Sequence, residues 1–258
     1  MCLLVLAWQA HPRYRLVVAA NRDEFHARAA APLAKWPPPA DILAGRDLQA
    51  QGTWLGLDRA RRFGVVTNFR ELQRPQPQAP SRGGLIPRYL GGTDDAAAFF
   101  AALGSEAARY SGFNLLLTDA RQLWYGSNRA APFARALGAG VYGLSNELLD
   151  TPWPKLTRVR AGFEAWLRAP AAAPESLFAL LADRTPAPQA QADTGGLPPE
   201  WARALSAPFV LHSRYGTRCA TVLLLGAAGE LQLIERRFDA AGQESGRSAF
   251  TLGPDEWP

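Results

Sequence analysis

The stretch Cys2-Leu3-Leu4-Val5-Leu6-Ala7-Trp8 is followed, across His11-Pro12-Arg13, by Arg15-Leu16-Val17-Val18-Ala19-Ala20. Two short runs rich in Val and Leu, separated by a proline-bearing turn, predict an antiparallel hairpin at the start of the fold. Asn21-Arg22-Asp23-Glu24 comes next, at the predicted strand end, a place where functional side chains cluster.

Outward from this hairpin the pattern stays antiparallel. Residues 32–41 carry Pro32, Pro37, Pro38 and Pro39 and predict a loop. Residues 42–45, 53–57 and 63–67 predict a second set of strands, with 58–62 as a turn. Residues 70–80, with Pro75, Pro77 and Pro80, predict a surface loop. Helices are expected at 85–90 and 94–110, the second capped by Thr93 or Asp94 and presenting Phe99, Phe100 and Leu103 on one face. Residues 113–118 and 122–127 predict a hairpin, and 140–145 a further strand. Residues 153–168 predict a helix with Leu156, Val159, Phe163, Trp166 and Leu167 as its apolar stripe. Residues 175–182 predict a second helix, 184–199 a long loop and 199–205 a short helix. Residues 217–225 and 230–238 close the chain as a hairpin. The order lacks βαβ alternation, which argues against a parallel doubly wound sheet. It predicts an α+β fold of antiparallel sheets covered by helices, in a single domain over 1–258.

Composition narrows the function classes. At 258 residues, 48% hydrophobic and 20% charged, the chain is long enough to bury its own core. Two cysteines, Cys2 and Cys219, exclude a disulfide scaffold and a Cys-rich zinc module. Lys+Arg 28 against Asp+Glu 23 leaves a net charge of +5. Lys35 and Lys155 are the only lysines, and the arginines are scattered, so no nucleic-acid partner is expected. The apolar start is short and has no basic region before it, which argues against a signal peptide. No apolar stretch approaches the roughly 18 residues that would read as a membrane span. The expected setting is cytoplasmic and reducing, without stable membrane insertion, and there a free thiol persists.

Gly138-Ala139-Gly140-Val141-Tyr142-Gly143 spells G-x-G-x-x-G, but a dinucleotide site needs a helix directly after it. The sequence that follows, with Pro152 and Pro154, reads as strand then loop, so these glycines are assigned to turns. His11, His26 and His212 lie far apart in sequence and show no metal-ligand spacing, and no G-x-S-x-G elbow is present.

Cys2 allows two readings. It is a small buried hydrophobe in the first strand, or, once Met1 is removed, it carries both a thiol and a free α-amine. An α-amine with a pKa of about 7.7–8.0 can accept the thiol proton without a histidine. Asp23, at the end of the neighbouring strand, is suited to face the α-ammonium. Asn68 follows Val65-Val66-Thr67, and Asn146 follows Gly143-Leu144-Ser145. Amides at strand ends suit an oxyanion. Arg218 opens the last hairpin and would lower the thiol pKa. Period-2 alternation puts Cys219 across the strand from Arg218, in the core. Turn chemistry or surface solvation is the competing account of each polar residue.

Taken in order, Met1-Cys2, Asn21-Arg22-Asp23-Glu24, Ala44-Gly45-Arg46-Asp47, Gly52-Thr53-Trp54-Leu55-Gly56, Ser81-Arg82-Gly83, Gly112-Phe113-Asn114-Leu115-Leu116, Gly143-Leu144-Ser145-Asn146 and Tyr215-Gly216-Thr217-Arg218 resemble the NRDE-motif family. It is also called the transport and Golgi organisation 2 family. The resemblance implies an N-terminal-nucleophile hydrolase fold, a four-layer αββα sandwich. More distantly the pattern resembles cysteine-type amide hydrolases, and implies Cys2, Asp23, Asn68, Asn146 and Arg218 as site residues, with Asn21 and Arg22 near a small-molecule substrate. Two functions are expected. One is a thiol amidohydrolase that needs no cofactor. The other is a haem, acyl-CoA or lipid binding and trafficking protein on the same fold, with haem as its ligand and His11, His26, His212 or a cysteine on the iron.

Overall fold

The computed structural model describes residues 2–71, 78–169, 173–188 and 196–258, with Cys2 described at its backbone. The fold is α+β with two antiparallel sheets, as the hairpin reading predicts. In chain order the strands are β1 (Cys2–Trp8), β2 (Tyr14–Phe25), β3 (Ala30–Lys35), β4 (Ile42–Asp47), β5 (Leu55–Asp58), β6 (Phe63–Asn68), β7 (Phe113–Thr118), β8 (Leu123–Ser127), β9 (Ala134–Leu137), β10 (Gly140–Leu144), β11 (Tyr215–Gly226), β12 (Leu231–Phe238) and β13 (Glu244–Leu252). The helices are α1 (Leu85–Leu90), α2 (Ala96–Gly104), α3 (Pro154–Arg168), α4 (Pro174–Leu181) and α5 (Pro199–Leu205). No helix among the described residues is long and apolar enough to cross a membrane.

The chain divides into two compact units. The first, Met1–Ala27, Ala139–Ser145 and Leu149–Glu256, holds the sheet ordered β10-β1-β2-β11-β12-β13. One face of it, with Val5, Ala7, Val17, Ala19, Val222 and Leu224, packs on Leu156, Val159 and Phe163 of α3 and Leu177, Phe178 and Leu181 of α4. The alternate residues Leu4, Leu6, Leu16, Val18 and Leu223 are buried as well. Burial on both faces explains why these strands read as unbroken apolar runs. The second unit, Arg28–Gly138, Asn146–Leu148 and Trp257–Pro258, holds the sheet ordered β3-β4-β5-β6-β7-β8-β9. There Ile42, Ala44, Val66, Leu115 and Leu117 pack on Leu85, Ile86 and Tyr89 of α1 and Phe99, Phe100 and Leu103 of α2.

Four local expectations change. β2 runs to Phe25, so Asn21-Arg22-Asp23-Glu24 lies inside a strand and not after one. β2 is laddered on both sides, to β1 and to β11, and this keeps its backbone extended through the polar residues. Part of the predicted 32–41 loop is β3, an edge strand whose register slips between Ala31 and Ala34, around Pro32. Proline is tolerated at a sheet edge and a bulge, where its missing N–H breaks no ladder. The helix predicted over 94–110 covers only Ala96–Gly104, capped by Asp95, whose side chain accepts from the Ala98 N–H. A 3-10 turn, Ala107–Arg109, follows. The strands β9 and β13 were not expected: β9 is short and β13 is largely exposed and polar. Met1, 72–77 within one predicted loop and 189–195 within the other lie outside the described residues.

Gly140 and Gly143 of the G-x-G-x-x-G run lie within β10, which no helix directly follows. Gly143 serves packing, because a Cβ there would stand 2.8 Å from Leu156 Cδ1 of α3.

Candidate functional site

The polar residues of β2 sit in the buried part of the first sheet. Asn21, Arg22 and Asp23 are 1%, 6% and 1% exposed. Buried polar groups require partners. Asn21 Nδ2 donates to the carbonyls of Leu181 and Pro208, at 2.9 Å each, so this amide ties the end of α4 to the sheet. Arg22 Nη2 lies 3.9 Å from Glu24 Oε2. Asp23 Oδ1 accepts from Thr217 Oγ1 at 2.7 Å, and the Asp23 carbonyl accepts from the Tyr215 hydroxyl at 2.6 Å. Burial pushes the Asp23 carboxyl above the ordinary carboxylate range, and the Lys155 ammonium is the largest influence pulling it back. Lys155, on α3, is itself buried. At the start of β1, Cys2 pairs in register with Arg22, one residue from Asp23.

Arg218 occupies a bulge. Thr217 pairs with Asp23 and Cys219 with Arg22, leaving Arg218 as the extra residue of β11. The register is irregular between Thr217 and Cys219, and Cys219 is buried as expected. Arg218 Nη1 is 3.1 Å from His26 Nδ1 and donates to the His26 carbonyl at 3.2 Å. A guanidinium only donates, so Nδ1 accepts and the ring proton sits on Nε2, which donates to the His212 carbonyl at 3.0 Å. Both His26 nitrogens are thereby engaged. The Nε of Arg218 is buried with no hydrogen-bond partner among the described residues.

Asn68 and Asn146 are brought together in the second unit. Asn146 Nδ2 donates to the Asn68 carbonyl at 2.9 Å, and the Asn146 carbonyl accepts from the Arg70 N–H at 2.7 Å. The fully buried Asn114 fixes the next residue: its Nδ2 donates to the Glu147 carbonyl at 2.9 Å, while its Oδ1 accepts from the Tyr125 hydroxyl at 2.8 Å. Asn146 follows two residues after the Leu4–Leu144 pair of β1 and β10.

Of the residues expected at a site, Cys2, Asn21, Arg22, Asp23 and Arg218 fall in the first unit and Asn68 and Asn146 in the second. Sequence reasoning missed Lys155, Thr217 and Asn114. Lys155 left a signal: it stands four residues before Val159 and eight before Phe163, on the apolar stripe of its helix, in a chain with only two lysines. Thr217 and Asn114 lie inside quoted motifs and carry no periodic signal that separates them from ordinary strand residues.

A family model for Transport and Golgi organisation 2 matches residues 1–240. The chain is 32% identical to a Transport and Golgi organization 2 homolog of Mus musculus, over 98% of this chain and 99% of the relative. The figures for the Homo sapiens homolog are the same, 32%, 98% and 99%. A Drosophila melanogaster Transport and Golgi organization protein 2 is 26% identical, over 91% of each chain.

Proposed function

The chain belongs to the Transport and Golgi organisation 2 family, and from that premise we propose that it is an N-terminal-cysteine amidohydrolase acting on the C–N amide bond of a small molecule. The observation that carries the reading is the β1–β2 register, with Cys2 opposite Arg22 and next to the buried, lysine-compensated Asp23. The proposal includes the αββα arrangement of N-terminal-nucleophile hydrolases. What supports it is that the first sheet carries helices on one face and buried apolar residues on the other.

Met1 is removed, and the α-amine of Cys2 accepts the thiol proton as the sulfur attacks the amide carbonyl. The carbonyl oxygen becomes an oxyanion, which hydrogen-bond donors stabilise. As the C–N bond breaks, the α-ammonium returns its proton to the leaving nitrogen, and a thioester remains on Cys2. Water, deprotonated by the same amine, attacks the thioester, and the carboxylic acid leaves with the thiol restored. Asp23 offsets the α-ammonium, held in place by Thr217 and Tyr215.

Intact-mass spectrometry of the native protein, run beside hydrolysis of a panel of small acyl amides, tests this. Met1 is expected to be absent, and Cys2→Ala to lose activity by about 10⁴-fold or more. A retained Met1, or an active Cys2→Ala protein, would overturn the mechanism.

A further inference from the structure

The stretch Tyr215-Gly216-Thr217-Arg218, which opens β11, builds a seat for a histidine. A Cβ on Gly216 would stand 3.1 Å from His26 Cε1 and 3.0 Å from the Val210 carbonyl oxygen, so glycine lets the imidazole lie against the strand. His26 is fixed there at three points. Its backbone N–H donates to the Arg214 carbonyl at 3.0 Å, its Nε2 donates to the His212 carbonyl, and its Nδ1 accepts from Arg218 Nη1. The His26 carbonyl accepts from the same Nη1, so one well-held residue anchors Arg218 twice.

Both anchors are neutral, because a ring that accepts from a guanidinium at Nδ1 is uncharged. Among the described residues no carboxylate forms an ion pair with Arg218. Other arginines of this sheet differ: Arg236 has Glu244 at 3.9 Å, and Arg237 has Glu235 at 3.5 Å. Arg218 is half-buried; its Nε is sealed off without an acceptor, and its Nη2 bonds nothing but stays open to solvent. Ordering a long side chain costs entropy, and neutral acceptors alone repay little of it. A pre-set cation with spare donors and no counter-charge is complementary to an anion brought from outside the chain. One uncompensated cation matches a single negative charge, which favours a carboxylate over a doubly charged phosphate.

We propose that Arg218 binds an anionic group of the substrate, so that the acyl amide this protein takes carries a free carboxylate, with His26 as the positioning residue. That the anion belongs to a substrate rests on the amidohydrolase reading; the anion site itself rests on the geometry of β2 and β11. The carboxylate accepts from Nη2, and Arg218 takes part in no covalent step.

Calorimetric titration tests this with the full chain carrying Cys2→Ala, which binds without turnover. The probes are N-acetylglycine and N-octanoylglycine, each beside its glycinamide, so that a pair differs only in charge. The glycine form is expected to bind about tenfold more tightly than the glycinamide. Arg218→Gln brings that ratio to within about twofold of one, and His26→Ala lowers it about threefold. Arg214→Gln, at a neighbouring exposed arginine, leaves it in place. Equal affinity for the two forms, or no binding of either N-acylglycine at about 5 mM, overturns the proposal even where no variant folds. So does an unchanged ratio in an Arg218→Gln protein of native circular dichroism, and so does an equal loss in Arg214→Gln, which would trace the preference to diffuse charge. The two readings fail separately. A carboxylate preference without hydrolysis by the native chain keeps the anion site and removes the amidohydrolase. Hydrolysis of both forms at equal kcat/KM does the reverse.

Discussion

At the scale of the residue, the first unit turns on a buried charge and its compensation. Burial raises the Asp23 carboxyl pKa, and Lys155 opposes the rise. A carboxyl with a raised folded pKa contributes stability that is present below the unfolded value, near 3.8, and lost as pH climbs through the folded value. Lys155 limits that loss. Lys155→Met removes the compensation and pushes the folded pKa higher still, so its effect depends on pH. Urea unfolding is expected to show a deficit of about 3 kcal/mol at pH 7, the cost of leaving one buried charge without its counterpart. Near pH 2.5, where Asp23 is protonated in both folded and unfolded chains, the deficit should close. Adding Asp23→Asn to Lys155→Met should recover much of the loss at pH 7, as a double-mutant cycle reads coupled groups. A deficit equal at both pH values would mean that Lys155 acts by packing alone.

At the scale of the element, apolar periodicity made most of the fold legible. The stripe Leu156, Val159, Phe163 and Trp166 marks α3 because burial selects one side of a helix, and the Val- and Leu-rich runs mark β1, β2 and β11 because both faces of those strands are buried. What escaped reading depends on long-range pairing. Asn21 to Glu24 look like a strand end until β11 supplies a second ladder. β13 is a strand because β12 pairs with it, not because its own sequence alternates strongly. The bulge at Arg218 leaves no composition signal, yet it shifts the register of β11 on β2. The site was legible in part for the same reason: motif residues announce themselves, whereas the partners that hold them, Lys155, Thr217 and Asn114, come from other elements. Caps are a sharper case, since Thr93 and Asp94 were the expected caps of α2 and the neighbouring Asp95 makes the bond, at 2.8 Å to the Ala98 N–H. Asp95→Ala should cost about 1 kcal/mol in thermal or urea unfolding, and Asp94→Ala close to nothing. The reverse ranking would put the helix start one residue earlier.

At the scale of the whole molecule, the net charge of +5 invites comparison with nucleic-acid binding proteins. Those carry their cations as a continuous stripe whose phosphate contacts release counterions. Here several of the arginines are engaged within each unit. Arg28 bonds Asp47, Arg62 bonds Asp58 and Arg129 bonds Glu71. Arg158 pairs with Asp183, Arg160 with Asp150 and Arg247 with Glu175. A paired guanidinium has to break an ion pair before it can meet a phosphate, so each added contact returns less than a free cation would. In a mobility-shift titration with a duplex of about 20 base pairs, the protein is expected to form no complex at 150 mM salt. Any association at 20 mM salt should weaken with a shallow slope of log affinity on log salt, about −2 or gentler, since the slope is close to −0.9 per phosphate neutralised. A slope of about −5 or steeper would require a contiguous basic surface and would reverse this account of the arginines.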